Sequence, residues 1–134
     1  LVLGRTQPNG ANGQKVLVTK FDSDNIIEWS NTYSDTGQGS ALGNICETST
    51  GYLIVFKRHV SQANGDRRAE YLSIDFNGNI LWQKHFKSTY SSLWIHSCIM
   101  DNAGDLVVSG EYPATTTPGV YLNKFELNLM CYKC

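Results

Sequence analysis

The side chains able to do chemistry in this 134-residue chain are four cysteines, three histidines, a set of acidic turns and a few aromatics beside polar connections. Cys131-Tyr132-Lys133-Cys134 is a C-x-x-C. One such pair supplies half of a tetrahedral zinc site or a small disulfide loop, and with no second pair no metal is assigned. It reads either as the start of a Cys-rich segment or as two incidental cysteines on an edge strand. Asp22-x-Asp24 and Asp75-x-Asn77-x-Asn79 space oxygen atoms alternately, as a calcium loop does. A helix-loop-helix calcium site needs Gly at its sixth position and Glu at its twelfth, where this chain has Ile27 and Tyr33, or Ile80 and Phe86. Asp and Asn side chains capping their own turns explain these residues instead.

Catalysis asks for a nucleophile, a base and an orienting group brought together. His59, His85 and His96 have no motif around them, and neither G-x-S-x-G nor H-E-x-x-H occurs, so no catalytic residue and no cofactor is assigned. Sugar binding asks for an aromatic platform ringed by amides and carboxylates. Tyr90 and Trp94, near the Lys87 to Leu93 connection, are the aromatics that stand apart from the rest. The His59 to Arg68 connection, HVSQANGDRR, is long, polar and charged. Loops on a rigid scaffold are where partner contacts concentrate, which singles out Arg67 and Arg68. With His96, which sits beside Trp94, these make the candidate binding set: Tyr90, Trp94, His96, Arg67 and Arg68.

Composition narrows the partners. With 41% apolar and 17% charged residues and a formal net charge of −1, the chain has the balance of one ordinary domain. Its pI of 6.3 gives no general pull toward nucleic acid or anionic membrane, and its longest basic runs are Lys57-Arg58 and Arg67-Arg68. Apolar stretches such as Leu53 to Phe56 fall far short of the roughly 20 residues that span a bilayer, so no membrane insertion is expected. The chain starts at Leu with no signal peptide, and a longer parent chain is expected. No Asn-x-Ser/Thr sequon occurs.

The elements that must position these residues follow from an internal repeat. A shift of 53 residues superposes Asp22 on Asp75, Ile27 on Ile80, Trp29 on Trp82, Gly51 on Gly104, Leu53 on Leu106 and Val55 on Val108 without a gap. KFDSDNIIEW at 20 to 29 answers SIDFNGNILW at 73 to 82, and KFELNLMCY at 124 to 132 is a fainter third copy. Short runs of Val, Ile, Leu, Phe and Tyr between turn residues predict β-strands at 1–6, 15–22, 26–33, 42–48, 52–58, 69–75, 79–86, 94–100, 105–112, 119–126 and 129–133, with no helix. Asp, Asn and Gly in the connections mark tight hairpins that tolerate φ > 0. Four strands per repeat, joined mostly by hairpins, predict a β-propeller blade. The same shift sets Gly43 against His96 and Cys46 against Ile99. Alternation then points Cys46 and Cys98 to opposite faces, as two separate buried thiols with no disulfide between them.

An apolar strand ending in Asp, a turn, an apolar strand ending in Trp and a Gly-containing hairpin resemble the tryptophan-docking repeat of the quinoprotein-like (PQQ-like) β-propellers, over nearly the whole chain. The resemblance implies that Trp29 and Trp82 pack against a neighbouring blade and that Asp22, Asp75 and Gly78 shape the turn. Asn25 departs from the usual Gly, although Asn also accepts a left-handed conformation. It implies an innermost strand at 42–48, then 52–58 and 69–75, with 79–86 outermost.

The expected fold is all-β: four-stranded antiparallel blades forming an incomplete ring of two to three, with residues 1–33 a partial blade, 41–86 a full blade and 94–134 a blade with a weak outer strand. Gly51 and Gly104 serve its hairpins. The expected function is non-catalytic, a structural or protein-interaction module of a larger extracellular or surface assembly, its ring completed by more chain or by further copies. A lectin-like propeller binding glycan through Tyr90 and Trp94 is the alternative. A fragment of a quinoprotein-type enzyme is less favoured, since only His96 is placed to meet a quinone cofactor.

Overall fold

A computed structural model of the protein describes residues 1–6, 15–33, 40–59, 67–87, 94–112 and 119–125. They form ten strands in three antiparallel sheets, and no helix occurs among the described residues. β1 (Val2–Thr6), β2 (Lys15–Phe21) and β3 (Ile27–Tyr33) make the first sheet. β4 (Ser40–Thr48), β5 (Gly51–His59), β6 (Arg67–Asp75) and β7 (Ile80–Lys87) make the second, in that order. β8 (Trp94–Met100), β9 (Leu106–Tyr112) and β10 (Gly119–Phe125) make the third. The expected strands fall within a residue or two of these bounds, except the one at 129–133, which lies outside the described residues.

Three hairpins share one construction. Asp22 Oδ1 accepts the backbone N–H of Asp24 at 2.9 Å and of Ile26 at 2.8 Å. Asp75 does the same for Asn77 and Asn79, and Asp101 for Ala103 and Asp105. The residue three beyond each Asp takes a left-handed φ: 62° at Asn25, 83° at Gly78 and 81° at Gly104. A short acceptor that bonds the backbone two and four residues on fixes the turn locally, before any tertiary contact forms. The β4–β5 hairpin is shorter, pairing Thr48 directly with Gly51. There Thr48 Oγ1 accepts the Thr50 N–H at 3.3 Å.

The sheets stack face to face. Tyr52, Ile54, Phe56, Leu72 and Ile74 of the second sheet meet Val16, Val18 and Tyr33 of the first. Cys46, Leu53, Val55, Ala69 and Tyr71, on its other face, meet Cys98, Leu106 and Val108 of the third. β5 is apolar at consecutive positions from Tyr52 to Phe56, so alternation fills both interfaces from one strand. Leu53, Ile54 and Val55 are all fully buried, each contributing about 1.5–3 kcal/mol of transfer free energy. The first strands of successive sheets lie side by side, β1 against β4 and β4 against β8.

One repeat-equivalent pair faces opposite ways, and one expectation, that Cys46 and Cys98 stay separate, needs correction. Leu53 and Leu106 superpose in the repeat, yet Leu53 faces forward to the third sheet and Leu106 faces back to the second. β9 alternates Leu106, Val108 and Gly110 with Val107, Ser109 and Glu111, so it has one apolar face, and that face takes the buried side. Cys46 and Cys98 do face opposite ways from their own sheets, Cys46 forward with Leu53 and Cys98 back with Val108, but those faces are the two sides of one interface, so they are not separate thiols. Five residues, Asp101 to Asp105, connect β8 to β9 where two connect β4 to β5, which slips the pairing by one. Cys46 lies opposite Leu53 and Cys98 opposite Val108, and both enter the same core cluster.

Candidate functional site

Trp29, on β3, reaches across to the second sheet. Its indole Nε1 donates to the Phe76 carbonyl at 3.0 Å, while the Tyr33 hydroxyl donates to the Gly78 carbonyl at 2.7 Å. Asn31 Nδ2 also donates to the Gly78 carbonyl, at 3.4 Å. The β6–β7 turn therefore lies across Trp29, Asn31 and Tyr33, which follow one another at alternate positions of β3. Burial pushes the Tyr33 phenol above its ordinary value, only partly countered by its bond from Asn31. Gly78 is required twice over, because a Cβ there would stand 2.6 Å from Asn31 Nδ2 on a backbone already at positive φ. Trp82 is partly buried and packs against the core between the second and third sheets.

The binding candidates group at the other end of the strands. Within each sheet the tight hairpins share one end, and the long connections between strands and sheets leave from the opposite one. Arg67, Arg68 and Trp94, known here by backbone position, lie at that opposite end, and Tyr90 lies outside the described residues. Backbone register sets Arg58 of β5, Arg68 of β6 and Lys87 of β7 abreast, with His59 beside Arg67. His96 is the extra residue of a β-bulge between Ile95 and Ser97, and β4 carries its own register shift between Ala41 and Asn44, around the repeat-equivalent Gly43. Bulges re-aim a side chain. His96 is exposed and its Nε2 stands 3.6 Å from Glu111 Oε1.

Charged groups elsewhere serve the framework. Lys124 of β10 bonds Asp101 Oδ2 at 2.7 Å and Asp105 Oδ2 at 2.9 Å, tying the third sheet's last strand to its hairpin. Both carboxylates, Asp101 first, raise the Lys124 pKa, and Lys124 in turn holds Asp101 below the ordinary carboxylate value. Asp75 is lowered chiefly by the Asn79 side chain, whose Nδ2 donates to Asp75 Oδ2 at 2.9 Å. Two buried charges were absent from the sequence-derived candidates. Glu70 is 1% exposed and accepts Gln83 Nε2 at 3.2 Å, and Lys57 is 2% exposed. Glu70 interrupts Ala69, Tyr71 and Leu72, which was an available signal, whereas Lys57 follows the apolar run Tyr52 to Phe56 and precedes Arg58, so no local pattern marked it as buried.

Among the described residues no group of three or more His, Cys, Asp or Glu side chains is arranged to hold a metal ion. Among the described side chains of β4 and β8, only His96 can carry positive charge, and it stands beside Glu111. The described residues hold no helix long and apolar enough to cross a membrane. Compared with known proteins, the chain matches no family model and no curated protein.

Proposed function

We propose that the chain is a segment of a β-propeller that works as a non-catalytic structural or protein-interaction module within a larger extracellular or cell-surface assembly. One observation carries the reading: three antiparallel sheets stacked face to face with their first strands adjacent, as blades radiate from an axis. The docking of Trp29 on the neighbouring sheet's turn supports it, since this is the role that the tryptophan-docking repeat implies. Arg58, Arg68 and Lys87 stand abreast in backbone register on three neighbouring strands, a row of basic residues that suits an acidic partner.

Native and denatured mass of the protein from its source tests the assembly. The expected result is a polypeptide far heavier than 14.9 kDa, or a 14.9 kDa polypeptide found as a closed oligomer. A 14.9 kDa polypeptide with the same native mass overturns it. A glycan array separates the interaction module from a lectin: no saccharide retention is expected, and retention abolished by Trp94→Ala reassigns the connection end to sugar recognition.

A further inference from the structure

We propose that Cys46 and Cys98 form a reversible disulfide that staples the second sheet to the third. The two residues stand on β4 and β8, the adjacent first strands of their sheets, and are 7% and 5% exposed. Both are free thiols, and both belong to the one apolar cluster between the two sheets. The core therefore holds two thiols in one cluster across an interface that the backbone hydrogen bonds of the sheets do not bridge.

The neighbourhood favours a covalent bond over metal binding. No third His, Cys, Asp or Glu joins the pair among the described residues, whereas a soft-metal site of tetrahedral geometry needs four ligands. The exchange is symmetric in the two sulfurs, so attack by Cys46 stands for attack by either.

With a small-molecule disulfide such as oxidised glutathione as oxidant, the Cys46 thiolate forms a bond to one glutathione sulfur and one reduced glutathione leaves. Cys98 then loses its proton and attacks the Cys46 sulfur, and the second reduced glutathione leaves. The two protein thiols are oxidised by two electrons, the glutathione disulfide is reduced by two, and the two thiol protons end on the departing glutathiones. Because both sulfurs are buried, the exchange needs the second and third sheets to part briefly or to be still unpacked.

Trypsin reads the outcome cleanly, because residues 21–57 and 88–124 are single tryptic peptides with one cysteine each, while Cys131 and Cys134 fall in others. The wild-type chain is treated with oxidised glutathione, alkylated in denaturant and digested without reductant. The expected product is 21–57 joined to 88–124, two hydrogen masses below the sum of the free peptides and separated by dithiothreitol. Recovery of both peptides alkylated, or carrying glutathione, or with Cys46 joined to Cys131 or Cys134, overturns the proposal. A second measurement is independent of any variant's folding: oxidation should raise the denaturant midpoint of the wild-type chain over its reduced form, and an unchanged or lowered midpoint overturns the stapling role.

Discussion

Trp29 and Phe76 lie 47 residues apart in sequence and are joined by a 3.0 Å hydrogen bond from the indole nitrogen to the backbone carbonyl. The bond crosses from the last strand of the first sheet to the final turn of the second, so it registers one sheet against the next. An apolar face alone is indifferent to sliding by a fraction of a residue, and a directional donor is not.

Trp29→Phe keeps most of the ring and removes the donor, which should lower stability by about 1 kcal/mol in urea unfolding. Trp82→Ala tests the other interface. Trp82 is partly buried, so the loss should be about 2 kcal/mol, below the roughly 3–5 kcal/mol of a fully buried tryptophan. No loss at Trp82 would mean that it does not brace the second sheet against the third.

The orientation of the third sheet can be read from two neighbouring valines. Val108 is fully buried against the second sheet, while Val107 faces away. Val108→Ala should cost on the order of 2 kcal/mol and Val107→Ala less than about 1 kcal/mol. The reverse ranking would place the other face of β9 inward.

Gly78 and Gly104 have nearly the same φ, 83° and 81°, in different surroundings. A Cβ at Gly104 meets nothing within 4 Å, whereas at Gly78 it meets Asn31, Tyr33 and Trp29. Gly104→Ala should cost about 1 kcal/mol, the conformational penalty alone, and Gly78→Ala clearly more. Equal losses by thermal unfolding would show that the β6–β7 turn is not pressed onto β3. Asn25→Gly should be neutral or slightly stabilising, since Asn25 already occupies the left-handed region at φ 62°.

Asp75 and Asp101 should titrate below 3.8, seen as carboxyl midpoints in an NMR pH series. Their folded-state values are depressed, so the stability they lend is present above the unfolded value and is lost as pH falls through the folded one. Acid should therefore loosen the β6–β7 and β8–β9 hairpins at pH below about 4, with no matching change in the neutral range. Asp75→Asn keeps an acceptor for the turn N–H groups and should abolish the acid response there with less structural disturbance than Asp75→Ala. Midpoints at or above 3.8 would remove the assigned hydrogen bonds.

Much of the framework was legible in the residues. Strand positions followed from alternation and from Asp, Asn and Gly in the connections, and the turn role of Asp75 followed from its own spacing. Opposite faces for Cys46 and Cys98 were legible, though not that those faces belong to one interface; the reversed face of β9 was not legible at all. It depends on a five-residue connection replacing a two-residue one while the flanking leucines stay aligned, so a gap-free repeat hides a slip of one residue in pairing. Since side chains alternate, that slip reverses every inference about faces on β9, while β8 keeps the facing of β4. The candidate site was harder still. Spacing placed Arg67 and Arg68 at the end of a long connection, but their alignment with Arg58 and Lys87 is a property of register across three strands, which no local pattern carries.

β5 and β6, covered on both faces, impose an order on how the molecule comes apart. Solvent reaches their central amides only after a neighbouring sheet has left, so deuterium should enter Leu53 to Val55 and Tyr71 to Leu72 last, at a rate set by global unfolding. β1 and β10, at the margins of their sheets, should exchange through fraying of single strands. Whatever assembles on this protein at its margins therefore engages the part that opens most readily, and leaves untouched the strands that hold the chain together.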